Sequence, residues 1–240
     1  PAHILLDRIA EEKAELVRSK QIKKEKPLPP IFNNNMPSDI PDSWQWSRLG
    51  EIVQLVSGRD LTKSEYNDSN SDGVPYITGA SNFENGTLIE NRWTTRPISI
   101  ARKGDLLFTC KGTIGAQAFC PFDACHIARQ VMSLRCGNFI SIQLISSHLA
   151  AHTQQLKSMA KSQIPGVSRG DLLGLVIPLP PLEEQKEIVR QLEVKLNAVQ
   201  GLQDKLNEDL ETAQTLLKAK LKEVFEKKDA QPTASLSPSV

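Results

Sequence analysis

From Leu182 to about residue 228, apolar side chains recur at alternating spacings of three and four. Val189, Leu192, Leu196, Val199, Leu206, Leu210 and Leu217 mark the stripe. Sustained over about six heptads, this pattern predicts a coiled-coil seam on one long helix. Such a helix extends roughly 70 Å and must bury its stripe on something. Its start is equally legible. Pro178, Pro180 and Pro181 cannot sit inside a helix or a central strand, and proline is tolerated where a helix begins. Glu183 and Glu184 follow, where the helix dipole favours negative charge.

The opening of the chain also has helical spacing. Over residues 3–20, Ile4, Leu5, Ile9, Leu16 and Val17 fall on one face, opposite Glu11, Glu12, Lys13 and Arg18. A basic stretch, residues 20–26, runs into Pro27, Pro29 and Pro30 and predicts a non-helical linker. Between the two helical segments, short apolar runs alternate with turn signals. Strands are expected at 74–78, 106–110, 115–119, 131–134 and 171–177, and a helix or strand at 49–56. A helix is expected over 141–162 from Ile142, Ile145, Leu149, His152 and Leu156. The fold class is therefore α+β: one globular mixed α/β domain with a mainly β body, followed by a long coiled-coil helix. The expected segments are a helix end and basic linker at 1–26, the domain at 27–181, the long helix at 182–228 and a disordered Pro/Ser-rich tail at 229–240.

Charge sharpens this picture. The net charge is only +1, yet Arg96, Arg102, Lys103, Lys111, Arg129, Arg135, Lys157, Lys161 and Arg169 share a segment with only Asp105 and Asp123. No glutamate occurs between Glu90 and Glu183. Such segregation predicts a focused face for a polyanion; an unevenly charged ordinary surface is the alternative. No apolar run approaches a membrane span, and the amphipathic opening does not read as a signal peptide. The first residue is Pro1 rather than Met, as expected of a processed form or a fragment. With no secretory signal, Cys110, Cys120, Cys125 and Cys136 are expected as reduced thiols. Cys120 and Cys125 have zinc-like spacing, but Cys125 and His126 are adjacent and ill placed to face one ion.

Catalytic signatures are missing. There is no phosphate loop, no G-x-G-x-x-G after a strand, and no Asn-Pro-Pro or Asp-Pro-Pro core of an amino-methyltransferase. His148 and His152 lie one helical turn apart without an H-E-x-x-H context. What remains is binding. Lys111-Gly112-Thr113-Ile114-Gly115 offers a cation and backbone N–H groups at a tight turn, suited to a phosphate. Lys161 and Arg169 flank a second such place. Arg59, Lys63, Ser81, Asn82, Lys111, Thr113, Gln117, Lys161, Gln163 and Arg169 are the candidate DNA contacts.

These motifs converge on a family. SQIPGVSRGDLLGLVIPLPPLEEQKEIV resembles the junction between a target-recognition domain and a conserved helix in specificity subunits of type I restriction-modification systems. LGEIVQLVSGRDLTKSEY, GVPYITGASNFENG and GDLLFTCKGTIGAQAF resemble the start and middle of that domain. DRIAEEKAELVRSKQIKKEKPLPPI resembles the end of the preceding conserved helix. The resemblance implies a non-catalytic subunit that reads one half of a bipartite DNA target. It implies docking of methyltransferase and restriction subunits, which would carry S-adenosylmethionine, ATP and Mg, with no cofactor in this chain. It also implies a prokaryotic, cytoplasmic protein associated with the nucleoid through DNA. Only one recognition domain is present, as expected of a C-terminal half or of a half-length subunit that self-associates through the long helix. The alternatives are a coiled-coil protein-interaction module without DNA specificity, and an enzyme in its own right.

Overall fold

The computed structural model describes residues 1–31, 39–69, 72–159 and 166–229. They form two compact units that divide between Val189 and Arg190.

In the first unit, helix α1 (Ala2–Arg18) buries Ala2, Leu5 and Ile9. These follow i, i+3, i+7 spacing, which turns Ile4 outward to 46% exposure, contrary to the face expected from sequence. On the same helix, the Lys13 ammonium donates to the carbonyls of Gly50 at 2.7 Å and Val53 at 3.0 Å. It thereby closes the end of the short helix α2 (Leu49–Ile52). Burial lowers the Lys13 pKa, opposed by Glu25 and Glu51. The run expected as helix or strand is both, because α2 passes directly into strand β2 (Val53–Ser57).

The β body consists of two four-stranded sheets. In one, β2 is followed by β11 (Val131–Cys136), β8 (Leu106–Thr109) and β9 (Gln117–Phe119), all antiparallel. In the other the order is β6 (Trp93–Thr94), β3 (Val74–Ile77), β10 (Ala124–Ile127) and β7 (Ile100–Arg102). There β3 and β10 are parallel. Strand β8 is buried on both faces: Leu106 and Phe108 enter one core, and Leu107 enters the other. A hairpin of β4 (Phe83–Glu84) and β5 (Thr87–Leu88) turns at Asn85 and Gly86, whose positive φ values of 49° and 78° suit an Asn-Gly turn. A ribbon of β1 (Gln45–Arg48) and β12 (Val176–Leu179) has open edges, so Pro178 is accommodated without a missing ladder bond.

Two further expectations are corrected. The helix expected over 141–162 is two helices, α3 (Ile142–Ala151) and α4 (Thr153–Met159), and residues 160–162 lie outside the described residues. At the break, His152 Nδ1 takes the His148 carbonyl at 2.9 Å and the Thr153 hydroxyl takes that of Leu149 at 2.9 Å. These side chains compete for helix carbonyls. The start of the strand expected at 171–177 is instead helix α5 (Arg169–Leu173). Its cap is reciprocal: Asp171 N–H donates to Ser168 Oγ at 3.1 Å, and Ser168 N–H donates to Asp171 Oδ2 at 2.9 Å.

Helix α6 (Leu182–Asp229) begins as the prolines predict, with the Pro181 carbonyl accepting from Gln185 N–H at 2.9 Å. Its first turn is tied to the β body. Glu184 accepts from the Trp44 indole at 2.7 Å and from the Ser43 hydroxyl at 3.1 Å. In the second unit, the stripe residues Leu196, Val199, Leu206, Leu210 and Leu217 are exposed in the single chain and Leu192 is half-buried; Val189, the last residue of the first unit, is half-buried too. Among the described residues, no helix is long and apolar enough to cross a membrane.

Candidate nucleic-acid interface

Five segments converge beyond the ends of β2, β3, β8 and β10. Gly58 N–H donates to the Val131 carbonyl at 3.1 Å, and Arg59 N–H donates to Ile127 at 2.9 Å. Ala128 N–H donates to Ile77 at 2.9 Å, which brings in the end of β3. Cys110 N–H donates to Gln130 at 2.8 Å, and the Cys110 carbonyl accepts from Val167 N–H at 2.8 Å. A bridge between Lys111 and Gly166 continues that contact. The tight turn between β10 and β11 closes with Val131 N–H donating to Ala128 at 2.8 Å. The result is a rim of loops tied to one another by backbone hydrogen bonds, with side chains facing outward.

Close packing here requires glycine at position 58. A Cβ there would lie 2.0 Å from the Ala128 carbonyl oxygen. The neighbouring loop depends on Thr109, whose hydroxyl accepts from Ala116 N–H at 2.9 Å while its carbonyl accepts from Gly115 N–H at 3.0 Å. Gly112 and Gly115 take left-handed φ values of 70° and 98°. The Gly115 donor is thus consumed internally, and Lys111, Gly112 and Thr113 are what this loop exposes.

Several of the sequence-predicted residues meet on the rim. Arg59, Lys111 and Thr113 are exposed there, with Lys63 a few residues beyond Arg59 and Ser81 exposed after the end of β3. Others are engaged inside. Asn82 is fully buried: its Oδ1 accepts from Thr78 N–H at 2.9 Å, and its Nδ2 donates to Ile89 O at 2.8 Å and Asn91 Oδ1 at 3.2 Å. It therefore braces a loop and presents no edge to a ligand. Gln117 is tied to Ser146 of α3 at 3.0 Å. The Arg169 guanidinium donates to the Leu55 carbonyl at 2.8 Å, to Ser57 Oγ at 3.2 Å and to Glu25. Lys161 and Gln163 lie outside the described residues.

The basic segment does not form one face. Arg102 pairs in register with Ala124 at the start of β10, whereas Arg129 follows the end of that strand, so the two occupy opposite ends of the sheet. Arg135 is committed to buried Asp105, with contacts of 2.7 and 2.6 Å. Among the described residues, the exposed cations of the rim are Arg59, Lys111 and Arg129.

Three rim residues are absent from the candidate contacts drawn from sequence: Asp60, Gln130 and Arg129, the last counted there only as part of the basic segment. Arg129 is held twice by Asp60, through its backbone N–H at 3.1 Å and its Nε at 2.8 Å. Gln130 is exposed, with its side chain laid across Gly79. The only local signal for them is a polar Arg-Gln pair between two apolar strands. Behind them stands His126, fully buried, with Nδ1 accepting from Ile98 N–H at 3.2 Å and Ser99 N–H at 3.1 Å. That fixes the proton on Nε2, which donates to the Arg59 carbonyl at 2.9 Å. Burial lowers the His126 pKa. His126 thus faces away from the Cys120 and Cys125 thiols, which contact each other at 3.5 Å. Among the described residues, no three metal-ligating side chains cluster.

Residues 41–212 match the family described as the type I restriction modification DNA specificity domain. The EcoEI specificity subunit of a type I restriction enzyme from Escherichia coli is 29% identical over 88% of this chain and 39% of its own length. The EcoAI specificity subunit from the same organism is 30% identical over 80% of this chain and 35% of its own. Among solved structures, one chain comes from work on complex assembly and conformational transition of the type I R-M system. It superimposes with a TM-score of 0.64 and 25% identity, over 93% of this chain and 54% of that one. The HsdS subunit from Thermoanaerobacter tengcongensis shares the fold, with a TM-score of 0.63 and 24% identity over 84% of this chain and 50% of that one. The chain spans less than two-fifths of these curated relatives and about half of the solved chains. Because the family match covers most of its residues, the chain belongs to the type I restriction-modification DNA specificity domain family.

Proposed function

We propose that this chain reads one half of a bipartite duplex-DNA target through the loop rim, and that it performs no reaction itself. The observation that carries this reading is the convergence of Arg59, Lys111, Thr113 and Arg129 on one end of the β body, on loops tied together by backbone hydrogen bonds. Cations on a rigid rim suit phosphates, and a rigid backbone lets neighbouring side chains address base edges. The curated relatives are specificity subunits of type I restriction enzymes, which supports the same assignment. On this reading residues 27–181 are the recognition domain. The modification and restriction subunits dock elsewhere on the chain and supply S-adenosylmethionine, ATP and Mg chemistry. DNA binding then associates the protein with the nucleoid.

The exposed stripe of α6, from Leu196 to Leu217, favours a protein partner as well. A second copy of the chain, or the other half of a longer subunit, would cover it by coiled-coil packing. The two activities separate by salt. Binding of duplex DNA should weaken steeply as salt rises, and Arg59→Ala with Lys111→Ala should flatten the log–log slope by about 0.9 per lost phosphate contact. A slope unchanged in that double variant rejects the rim, and salt-insensitive binding favours the protein-interaction reading.

A further inference from the structure

The Asp60–Arg129 pair is an odd feature for a surface that meets a polyanion. A carboxylate there repels phosphates. An ion pair with side chains 68% and 46% exposed contributes little to stability. Its geometry supplies a different reason. Asp60 Oδ1 accepts the Arg129 backbone N–H at 3.1 Å, and Oδ2 lies 2.8 Å from Nε as an ion pair. One carboxylate therefore anchors the root of the side chain and sets a charge beside the inner edge of its guanidinium. Among the described residues, the two terminal nitrogens of Arg129 have no partner. They form a planar fork that matches two adjacent acceptors.

The backbone beneath the fork is equally constrained. The Arg129 carbonyl accepts from the Cys110 thiol at 3.7 Å, the Gln130 carbonyl accepts from Cys110 N–H at 2.8 Å, and the turn closes from Val131 to Ala128. Phosphate binding needs no such aiming, because a mobile lysine serves as well. An arginine rooted at its backbone, with a carboxylate beside its inner edge and its end-on fork free, has the form suited to bidentate readout of guanine O6 and N7 in the major groove. Resting on the DNA-reading function proposed above, we infer that Arg129 is a specificity-determining residue for a guanine in the half-site, with Asp60 as its positioning residue.

The test is selection from a pool of random-sequence duplex DNA by the full chain, followed by sequencing. The wild-type protein should enrich a motif containing an obligatory guanine. Arg129→Ala should reduce preference for guanine at one position by roughly tenfold to a hundredfold, leaving the rest of the motif intact. Asp60→Asn keeps an acceptor for the backbone N–H and removes the charge. It should relax the same single position while raising affinity for non-specific duplex, an outcome that a purely structural defect would not give. Circular dichroism on both variants confirms folding. An enriched motif that is unchanged in either variant, or a uniform loss across all positions in Arg129→Ala, overturns the inference while leaving the DNA-reading function standing. Failure of the wild-type chain to enrich any sequence overturns both.

Discussion

Gln185, in the first turn of α6, accepts the backbone N–H of Ser141 on its side-chain oxygen at 2.9 Å. Its side-chain nitrogen donates to the carbonyls of Pro180 at 3.0 Å and Phe139 at 3.3 Å. The residue is fully buried, so one carboxamide joins the helix start to the segment before α3. Gln185→Leu keeps the size and strands three polar groups. Unfolding in urea should show a loss of about 2–3 kcal/mol, the usual penalty for unsatisfied buried groups. A loss below about 0.5 kcal/mol would mean that water replaces the amide and that the junction is not sealed.

Asn82 is the matching case within the β body. Its oxygen already accepts from Thr78 N–H, the Thr78 hydroxyl at 3.1 Å and Gly79 N–H at 3.4 Å, while its nitrogen faces two acceptors, Ile89 O and Asn91 Oδ1. Asn82→Asp is isosteric but turns a carboxylate oxygen toward those acceptors. It should cost about 2–4 kcal/mol at neutral pH. The buried acid pKa is then raised above its unfolded value, so the folded state takes up a proton first. Part of the lost stability should return as pH falls toward the unfolded carboxylate range, because the protonated group donates to Ile89. Urea midpoints for the variant that do not rise on acidification would contradict this account.

These two residues also show what the sequence discloses. The start of α6 was legible because proline and glutamate act locally, through missing donors and the helix dipole. The role of Gln185 was not, since its partners lie more than forty residues away in Phe139 and Ser141. Asn82 reads equally well as a base contact or a brace until burial decides. The apolar run after Ser168 fitted a strand, and only the Ser168–Asp171 reciprocal cap, visible in the letters but short, makes its start helical. Strand β10 escaped notice because Cys125 and His126 carry no clear alternation signal. The rim was legible in part: Arg59 and Lys111 stand on it, but Asp60, Arg129 and Gln130 gain their meaning only from five segments meeting.

His126 sets a pH dependence of the wild-type fold. Its Nδ1 faces two N–H donors, so a second proton has no acceptor, and burial holds its pKa below the ordinary histidine value. His148 is pushed down to about 4, by burial and by His152, whose ring stacks on it at 4.2 Å. With depressed folded-state values, the unfolded chain binds these protons first as pH falls. Stability is therefore full above about pH 6.5 and declines below it. Urea unfolding should show that decline between about pH 7 and 5. His126→Leu should be less stable at pH 7, because Ile98, Ser99 and Arg59 lose a partner, and its profile should be flatter. A variant with the wild-type slope would place the titration elsewhere.

Two glycines separate close approach from helix propensity. At Gly58 an added Cβ would stand 2.0 Å from the Ala128 carbonyl oxygen, 2.5 Å from its carbon and 2.7 Å from the Ile127 oxygen. All three are backbone atoms. Neither strand can retreat without breaking the bonds from Gly58 to Val131 and from Arg59 to Ile127. Gly58→Ala should cost about 2–3 kcal/mol by overpacking. The strain falls on the turn that carries Arg129, so amide shifts in a two-dimensional NMR spectrum should concentrate at residues 127–131. At Gly201, in α6, an added Cβ meets nothing within 4 Å. There Gly→Ala only removes backbone freedom from the unfolded chain, and the helix should gain up to about 1 kcal/mol. Equal effects at the two positions would mean that the close contact at Gly58 relaxes freely, and that the rim is softer than its paired backbone requires.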